Sequence, residues 1–240
     1  MNSIQRLKRD TPRPLGPGSV KKNYLDVVYN KKRTPYTDYP YKLASYLFKR
    51  FNLKEGMQLL DIGAGRGEYM QCFSSLAIRC FGVDICRSEL QEVAYTDICT
   101  DILPYKSNSF DIVFHKSLIE HLPNASNLMN ETYRILKPGG RVIILTPDWR
   151  SQMKIFYEDP THVHPYDVYS IRDLLELSGF RNVESERFFQ LPVVWKHRSI
   201  KAISRVLSLF LSIEVARATR IKFLRWSVEL MVLGTGVKSV

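Results

Sequence analysis

The stretch LLDIGAGRGEY at residues 59–69 places an apolar run, an acid and three alternating glycines directly before a helical segment. Glycines at 63, 65 and 67 permit backbone angles that other residues avoid, and they let a ligand approach the main chain. The helix that follows presents unpaired N–H groups at its N-terminus. Because the spacing is G-x-G-x-G and no Walker lysine follows, this loop predicts a small-molecule site that is neither a dinucleotide nor an ATP site.

Around this loop the chain alternates between short apolar runs and helical segments. The apolar runs lie at 57–63, 80–85, 110–115 and 141–147, and helical candidates follow each of the first three. A further helix is predicted from Pro40 and another at 166–177, with Gly179 ending the latter, and a late strand at 182–188. This β–α alternation predicts a mostly parallel sheet with helices on both faces.

Length and composition indicate one folded globular domain. The chain has 240 residues, of which 45% are hydrophobic and 25% charged, so it can bury one sizeable core. Its four cysteines form no C-x-x-C pair, which argues against a zinc module or a disulfide scaffold. We expect a cytoplasmic protein, since no apolar run is long enough for a signal peptide or a membrane span.

The formal charge of +11 is concentrated at the two ends of the chain. Residues 1–50 carry a net charge of +9 and residues 190–226 carry +7, whereas residues 51–189 carry −5. We therefore predict three parts: a basic irregular arm at 1–35, the α/β domain at 36–195, and a basic amphipathic helical extension at 196–240. For the extension, an anionic membrane surface, a cap or homodimer contact, and a nucleic-acid patch remain alternatives.

Four segments together resemble the class I S-adenosylmethionine (SAM)-dependent methyltransferases. The D-x-G-x-G-x-G loop is similar to motif I of that family, and CFGVDI at 80–85 is similar to its second strand. Residues 96–113 resemble the stretch that cups the adenine, and residues 118–148, with their K-P-G-G turn, resemble the type-11 methyltransferase subgroup. The resemblance implies a Rossmann-like, seven-stranded, mostly parallel sheet and SAM as cofactor.

The same resemblance assigns roles to individual residues. Asp61 would hold the amino group of SAM, and Asp84 would accept the two ribose hydroxyls. Asp101 is the alternative to Asp97 at the adenine amino group. The other residues assigned to the cofactor are Gly63, Ala64, Gly65, Gly67, Ile85, Asp97, Ile98, His115 and Lys116.

Three histidines are candidate catalytic bases for an acceptor that must lose a proton. His121 lies in IEHL, and His162 and His164 lie in DPTHVHP at 159–165, where this subgroup builds its acceptor pocket. Purely local hydrogen bonding is the alternative for each. A metal ion held by Glu120 and His121 with His162 or His164 is an alternative interpretation. We expect none, because Ser117 stands where the metal-binding E-x-x-E-H pattern of some methyltransferases has its first glutamate.

The predicted function is SAM-dependent methylation, with O-methylation of a small-molecule or glycan/lipid-linked acceptor as the leading reaction. An RNA methyltransferase is the first alternative, supported by the charge but lacking an added recognition domain. A non-catalytic SAM-binding scaffold that docks on a membrane or partner is the second. The intact glycine loop and Asp84 favour retained SAM binding in every case.

Overall fold

The computed structural model describes residues 35–86, 88 and 90–240, so the predicted basic arm lies almost entirely outside the described residues. The strands are β1 (Gln58–Ile62), β2 (Arg79–Asp84), β3 (Val93–Tyr95), β4 (Phe110–Lys116), β5 (Leu136–Pro147), β6 (Arg181–Phe188) and β7 (Met231–Val237). The helices are α1 (Tyr39–Arg50), α2 (Glu68–Ser74), α3 (Ser126–Ile135), α4 (Trp149–Gln152), α5 (Val168–Leu177), α6 (Pro192–Lys196), α7 (Arg198–Phe210), α8 (Ile213–Ala218) and α9 (Lys222–Val228). Single 3₁₀ turns span Ile119–His121 and Phe156–Glu158.

The strands form one sheet in the order β3-β2-β1-β4-β5-β7-β6. All neighbours are parallel except β7, which runs antiparallel to both β5 and β6. One face packs Leu43 and Leu47 of α1, and the other packs Leu128 of α3 and Ile171 of α5. The predicted seven-stranded, mostly parallel sheet with helices on both faces is therefore confirmed.

Helix α5 shows how local sequence sets these elements. Asp167 caps its first turn by accepting hydrogen bonds from the backbone of Tyr169 and Ser170, and the Ser170 hydroxyl accepts from the Asp167 backbone in return. Gly179, with φ of +85°, follows the last turn as predicted. Such reciprocal capping fixes where the helix begins.

Two local predictions are wrong. No helix follows β2 in the described residues, because the short connection to β3 is taken up by bends and a turn. The K-P-G-G segment is the beginning of β5, where Gly139 donates to the Lys238 carbonyl and the Lys238 amide donates to Gly140. Pairing with the end of the chain holds this segment in the sheet.

The boundary predicted between residues 195 and 196 is also wrong, because the extension contains β7. This strand pairs with β5 from Arg141–Val237 to Pro147–Met231, and it fills the space between β5 and β6. Its uncharged run has the composition of a fully buried strand, which periodicity alone cannot distinguish from a short helix. Residues 189–230, here called the helical insertion, therefore join β6 to β7 at the edge of the sheet where β1, β4 and β5 end. None of the described helices has the length and apolarity to cross a membrane.

Ending the chain after Leu230 should abolish cooperative folding. The truncation removes β7, whose Met231, Val232 and Leu233 are almost completely buried. Each buried apolar side chain contributes about 1.5–3 kcal/mol, against a typical total stability of about 5–15 kcal/mol. The measurement is thermal unfolding followed by circular dichroism, with a chain that lacks only the exposed Val240 as the control. A sharp transition near that of the full chain would show that β7 is dispensable.

Candidate functional site

The glycine loop after β1 adopts a backbone that its glycines make possible. Gly63, Gly65 and Gly67 have φ values of +76°, +52° and +73°, in the left-handed region that side chains with a Cβ rarely adopt. A Cβ on Gly63 would also lie 3.1 Å from Leu118 Cδ1. Gly67 then serves as the N-cap of α2, so the loop turns directly into a helix N-terminus.

This loop forms one wall of a cavity of about 290 Å³, here called the first cavity. Its other walls come from the end of β2 and from the segment after β4. The lining residues are Asp61, Gly63, Ala64, Gly65, Arg66, Glu68, Tyr69, Asp84, Ile85, Cys86, Lys116, Ser117, Leu118, His121 and Thr161. Seven residues assigned to the cofactor by resemblance thus share one cavity, at the carboxyl ends of the strands where open α/β sheets bind ligands.

Two carboxylates shape the electrostatics of the first cavity. Asp84 accepts hydrogen bonds from the Gly65 amide at 2.8 Å and the Cys86 amide at 2.7 Å, so it connects β2 to the glycine loop. Asp61 is almost fully buried, and burial, with the negative charge of Asp84 adding to it, holds its pKa well above the ordinary value. A ligand that carries a positive amino group and hydroxyl donors would satisfy both acids.

Asp97 and Ile98, the residues expected at the adenine, are not among the described residues that line the first cavity, so their assignment stays a prediction. The Asp97 carboxylate accepts from the Cys99 amide, and the Asp97 amide donates to the Asp101 side chain. Ile98 is buried in the main hydrophobic core. The two aspartates therefore stabilise a local turn, and the described wall beyond Asp84 is formed by Ile85 and Cys86.

His115 also lies away from the first cavity, in contrast to its neighbour Lys116. The imidazole is completely buried within β4, and both ring nitrogens lack a hydrogen-bond partner in the described structure. Burial lowers its pKa to about 3, so the ring is neutral. Alternation along the strand places Lys116 at the cavity and leaves His115 inside. Gly67 does not line the cavity either, because its role is to begin α2.

A second cavity of about 410 Å³ adjoins the first and shares Lys116, Ser117 and His121 with it. It lies under the helical insertion, which contributes part of its wall. The remaining lining residues are Glu120, Pro147, Gln152, Ile155, Phe156, Glu158, Asp159, Pro160, His162, Gln190, Arg217, Trp226, Glu229 and Met231. His121 therefore lies where the two cavities meet.

The hydrogen bonds of two histidines determine which ring nitrogen carries the proton. His121 Nδ1 contacts the Thr161 carbonyl at 3.2 Å and the Thr161 hydroxyl at 2.9 Å, and that hydroxyl donates to Asp159. Both oxygens must accept, so Nδ1 is the donor and the neutral ring has its basic lone pair on Nε2. His162 Nδ1 likewise donates to the Phe156 carbonyl at 2.7 Å.

Glu120 completes a cluster with these two histidines. It is fully buried, accepts from the Thr146 hydroxyl at 2.9 Å, and has no partner for Oε1 in the described structure. Burial raises its pKa to about 7. One oxygen or nitrogen atom each of Glu120, His121 and His162 lie within 4.8 Å of one another, close enough to hold a metal ion together.

His164 does not join this cluster. Its ring packs against Tyr166 with centroids 4.7 Å apart, and it lines neither cavity. Of the three histidines predicted as bases, the fold therefore brings His121 and His162 together, with centroids also 4.7 Å apart, and separates His164.

Sequence reasoning missed the contribution of the helical insertion to the second cavity. Arg217 donates to Glu158 at 2.5 Å and to Glu229 at 3.1 Å, and Trp226 lies on the same wall. These residues were assigned to a separate extension because β7 was not recognised. Identifying β7 from its uncharged run would have placed them over the carboxyl ends of the strands.

Comparison with known proteins agrees with this architecture. A family model described as a methyltransferase domain matches residues 34–185. Phosphoethanolamine N-methyltransferase 2 of Caenorhabditis elegans is 27% identical over 159 residues, which cover 58% of this chain and 36% of that protein. A ubiquinone biosynthesis O-methyltransferase of Ruegeria sp. is 24% identical over 165 residues, covering 59% and 67%.

A solved structure gives the same fold. Phosphoethanolamine N-methyltransferase 2 of Haemonchus contortus, in complex with S-adenosyl-L-methionine, superposes with a TM-score of 0.61 and 20% identity, covering 95% of this chain and 62% of that one. The chain thus spans about a third of the length of the Caenorhabditis relative and under two thirds of the Haemonchus one.

Proposed function

This chain belongs to the SAM-dependent methyltransferases, and we propose that it methylates a hydroxyl group of a small-molecule or glycan- or lipid-linked acceptor held in the second cavity. The observation that carries the proposal is the position of His121. Its ring lines both cavities, and its hydrogen bonds place the basic lone pair on Nε2. A hydroxyl that receives a methyl group must lose its proton, and a neutral imidazole between donor and acceptor sites suits that task.

The residues of the first cavity fit SAM, the cofactor of this family. Asp61 and Asp84 offer acceptors for an amino group and for ribose hydroxyls, and a side chain at Gly63 would crowd Leu118. When bound, SAM supplies an electrophilic methyl group on a positively charged sulfur. The protein itself must position the acceptor, exclude water and receive the proton.

Neighbouring groups support His121 in receiving that proton. Thr161 connects the protonated Nδ1 side of the ring to the Asp159 carboxylate, so negative charge lies behind the imidazolium as it forms. Glu120 lies on the same wall, whereas His162 disfavours the charged form of the His121 ring. Because burial raises the pKa of Glu120 to about 7, this carboxylate can take up a proton near neutral pH.

The charge of the second cavity favours a hydroxylated acceptor over a nucleic acid. Its described cations are Lys116 and Arg217, of which Arg217 is neutralised by Glu158 and Glu229, and Asp159 adds a further negative charge. The acids thus outnumber the cations and would repel a phosphate backbone. An RNA acceptor is therefore the alternative that the experiment below must test.

Transfer of labelled methyl groups from SAM into fractionated cell extracts tests the proposal. We expect label in a product that survives nuclease and that mass spectrometry shows to be methylated on oxygen. Loss of the label with nuclease would establish an RNA acceptor, and methyl on nitrogen would contradict O-methylation. Loss of activity in chelator, restored by a divalent cation, would show that the His–Glu cluster binds a metal and is not a simple base.

The pH dependence of the reaction should report His121. Burial, followed by the nearby His162, lowers the pKa of His121 below its ordinary value of 6.5, because both disfavour the charged ring. His121 therefore stays unprotonated, as a base must be, to a lower pH than an ordinary histidine does. We expect kcat/KM to be flat at neutral pH and to fall only below pH 6.5, measured with the labelled acceptor fraction. An acid limb near pH 7 would instead assign the titrating group to Glu120.

A further inference from the structure

Helix α7 exposes its apolar side and buries a polar one. The residues at one helical face, here called the outer face, are Ala202, Ile203, Val206, Leu209 and Phe210. Leu209 and Phe210 are 76% and 85% exposed, and Ile203 and Val206 are each more than half exposed. By contrast Ser204, on the opposite face, is completely buried. A surface helix usually buries its apolar face, but here that face has no packing partner in the described structure.

The inner face of α7 already packs against the domain. Ile200 contacts the small core formed by Phe189, Val194 and Leu230, and the Ser204 hydroxyl accepts a hydrogen bond from Ser227 of α9 at 3.0 Å. The helix cannot rotate to bury its outer face without losing these contacts. The exposure of the apolar stripe is thus a fixed feature of the fold.

Positive charge flanks the outer face. Arg198, Lys201 and Arg205 recur at spacings of three and four residues, which places them on one side of α7, and the helix contains no acidic residue. An apolar stripe bordered by cations matches the interface of an anionic bilayer, where acyl chains meet negative headgroups. A second copy of the chain fits less well, because twofold pairing through this face would bring the same cations together.

We propose that the outer face of α7 docks into the surface of an anionic bilayer, with Leu209 and Phe210 inserted and the cations on phosphate headgroups. Trp226 of α9 lines the second cavity, and its neighbour Ser227 bonds to Ser204 of α7. Docking would therefore hold the second cavity one helix away from the membrane. If the proposed function holds, this position of the second cavity favours an acceptor that is anchored in the bilayer.

Flotation of the full chain with vesicles tests this proposal. We expect binding to phosphatidylcholine vesicles that contain phosphatidylglycerol, and none to phosphatidylcholine alone, at low salt. The double variant L209S/F210S should lower the partition coefficient at least about tenfold, and K201E/R205E should do the same. L177S is the matched control, since Leu177 is 87% exposed on α5, and it should bind like the wild type.

Unchanged flotation of L209S/F210S would overturn the proposal, since binding would then come from another part of the chain. The proposal also fails if the wild type does not float but self-associates in sedimentation, and the variant remains monomeric, because a second copy would then cover the face. SAM affinity and methylation of a detergent-dissolved acceptor should be unaffected in the variant. Failure of the labelled-methyl experiment with the wild type, together with normal flotation, would count against the proposed function alone.

Discussion

The variant Asp84→Asn is expected to bind SAM about 100-fold more weakly than the wild type in isothermal titration. Hydrogen bonds to a charged group contribute about 1.5–3 kcal/mol, and about 1.4 kcal/mol corresponds to a tenfold change in affinity. The carboxylate offers acceptors for two ribose hydroxyls while it also holds the amides of Gly65 and Cys86. An amide side chain has one acceptor oxygen fewer and no charge, so it cannot do both.

Asp97→Asn is the matched control for this experiment. Asp97 was the residue that family resemblance assigned to the adenine, yet it lies in a turn with Cys99 and Asp101 and outside the first cavity. We expect its affinity for SAM to change less than about twofold, as is usual for surface substitutions that touch no ligand. Equal weakening in both variants would show that the cofactor site extends to Asp97 and that the cavity assignment is incomplete.

A secondary effect of Asp84→Asn distinguishes a local change from unfolding. The charge of Asp84 adds to burial in raising the pKa of Asp61, so its removal should allow Asp61 to ionise at lower pH. Part of the lost affinity would then be recovered at Asp61, which faces the same cavity. Thermal unfolding without SAM should remain cooperative, because the variant relieves repulsion between two acids.

The sequence alone predicted the part of the fold in which motif and periodicity agree. The glycine loop, the acids Asp61 and Asp84, and α5 with Gly179 after its last turn all carry local signals that tertiary contacts do not override. The loop backbone follows from glycine itself, since left-handed angles at three alternate positions are available to few other residues.

Other parts of the fold and of the site depend on contacts between residues that are distant in the sequence, and a sequence pattern does not show these contacts. The sequence of β7 is compatible with either a helix or a strand until its partners β5 and β6 are known. Because of this ambiguity, the sequence did not predict that Arg217 and Trp226 line the second cavity. His115 and Lys116 are adjacent in sequence but only Lys116 reaches the first cavity, because one residue along a strand changes the face. Family spacing could not resolve that difference.

Replacing His121 with glutamine should lower kcat by about 10²- to 10⁴-fold, the usual contribution of a positioned general base. Glutamine retains a donor for Thr161 and nearly the same volume, but its amide has no basic nitrogen. The affinity for SAM should change little, since Asp61 and Asp84 are the carboxylates expected to hold the amino group and the ribose in the first cavity. A loss in kcat with unchanged SAM binding is the signature of a group that acts on the acceptor.

Comparing the activities of the three His→Gln variants distinguishes the loss of a specific base from a general disruption of the structure. His164→Gln should retain nearly full activity, because His164 packs on Tyr166 and lines neither cavity. His162→Gln should lower kcat about tenfold, since it removes a ring whose centroid lies 4.7 Å from that of His121. If His162→Gln is inactive while His121→Gln is not, the base is His162.

The pH dependence of kcat/KM tests whether His121 is the base, whatever the size of the losses in kcat. If His121 is the base, the acid limb below pH 6.5 should disappear in His121→Gln, because no group with that pKa remains in control of the rate. His162→Gln should shift the same limb upward, since His162 contributes to lowering the pKa of His121. A limb that stays in place in both variants would mean that neither histidine takes the proton.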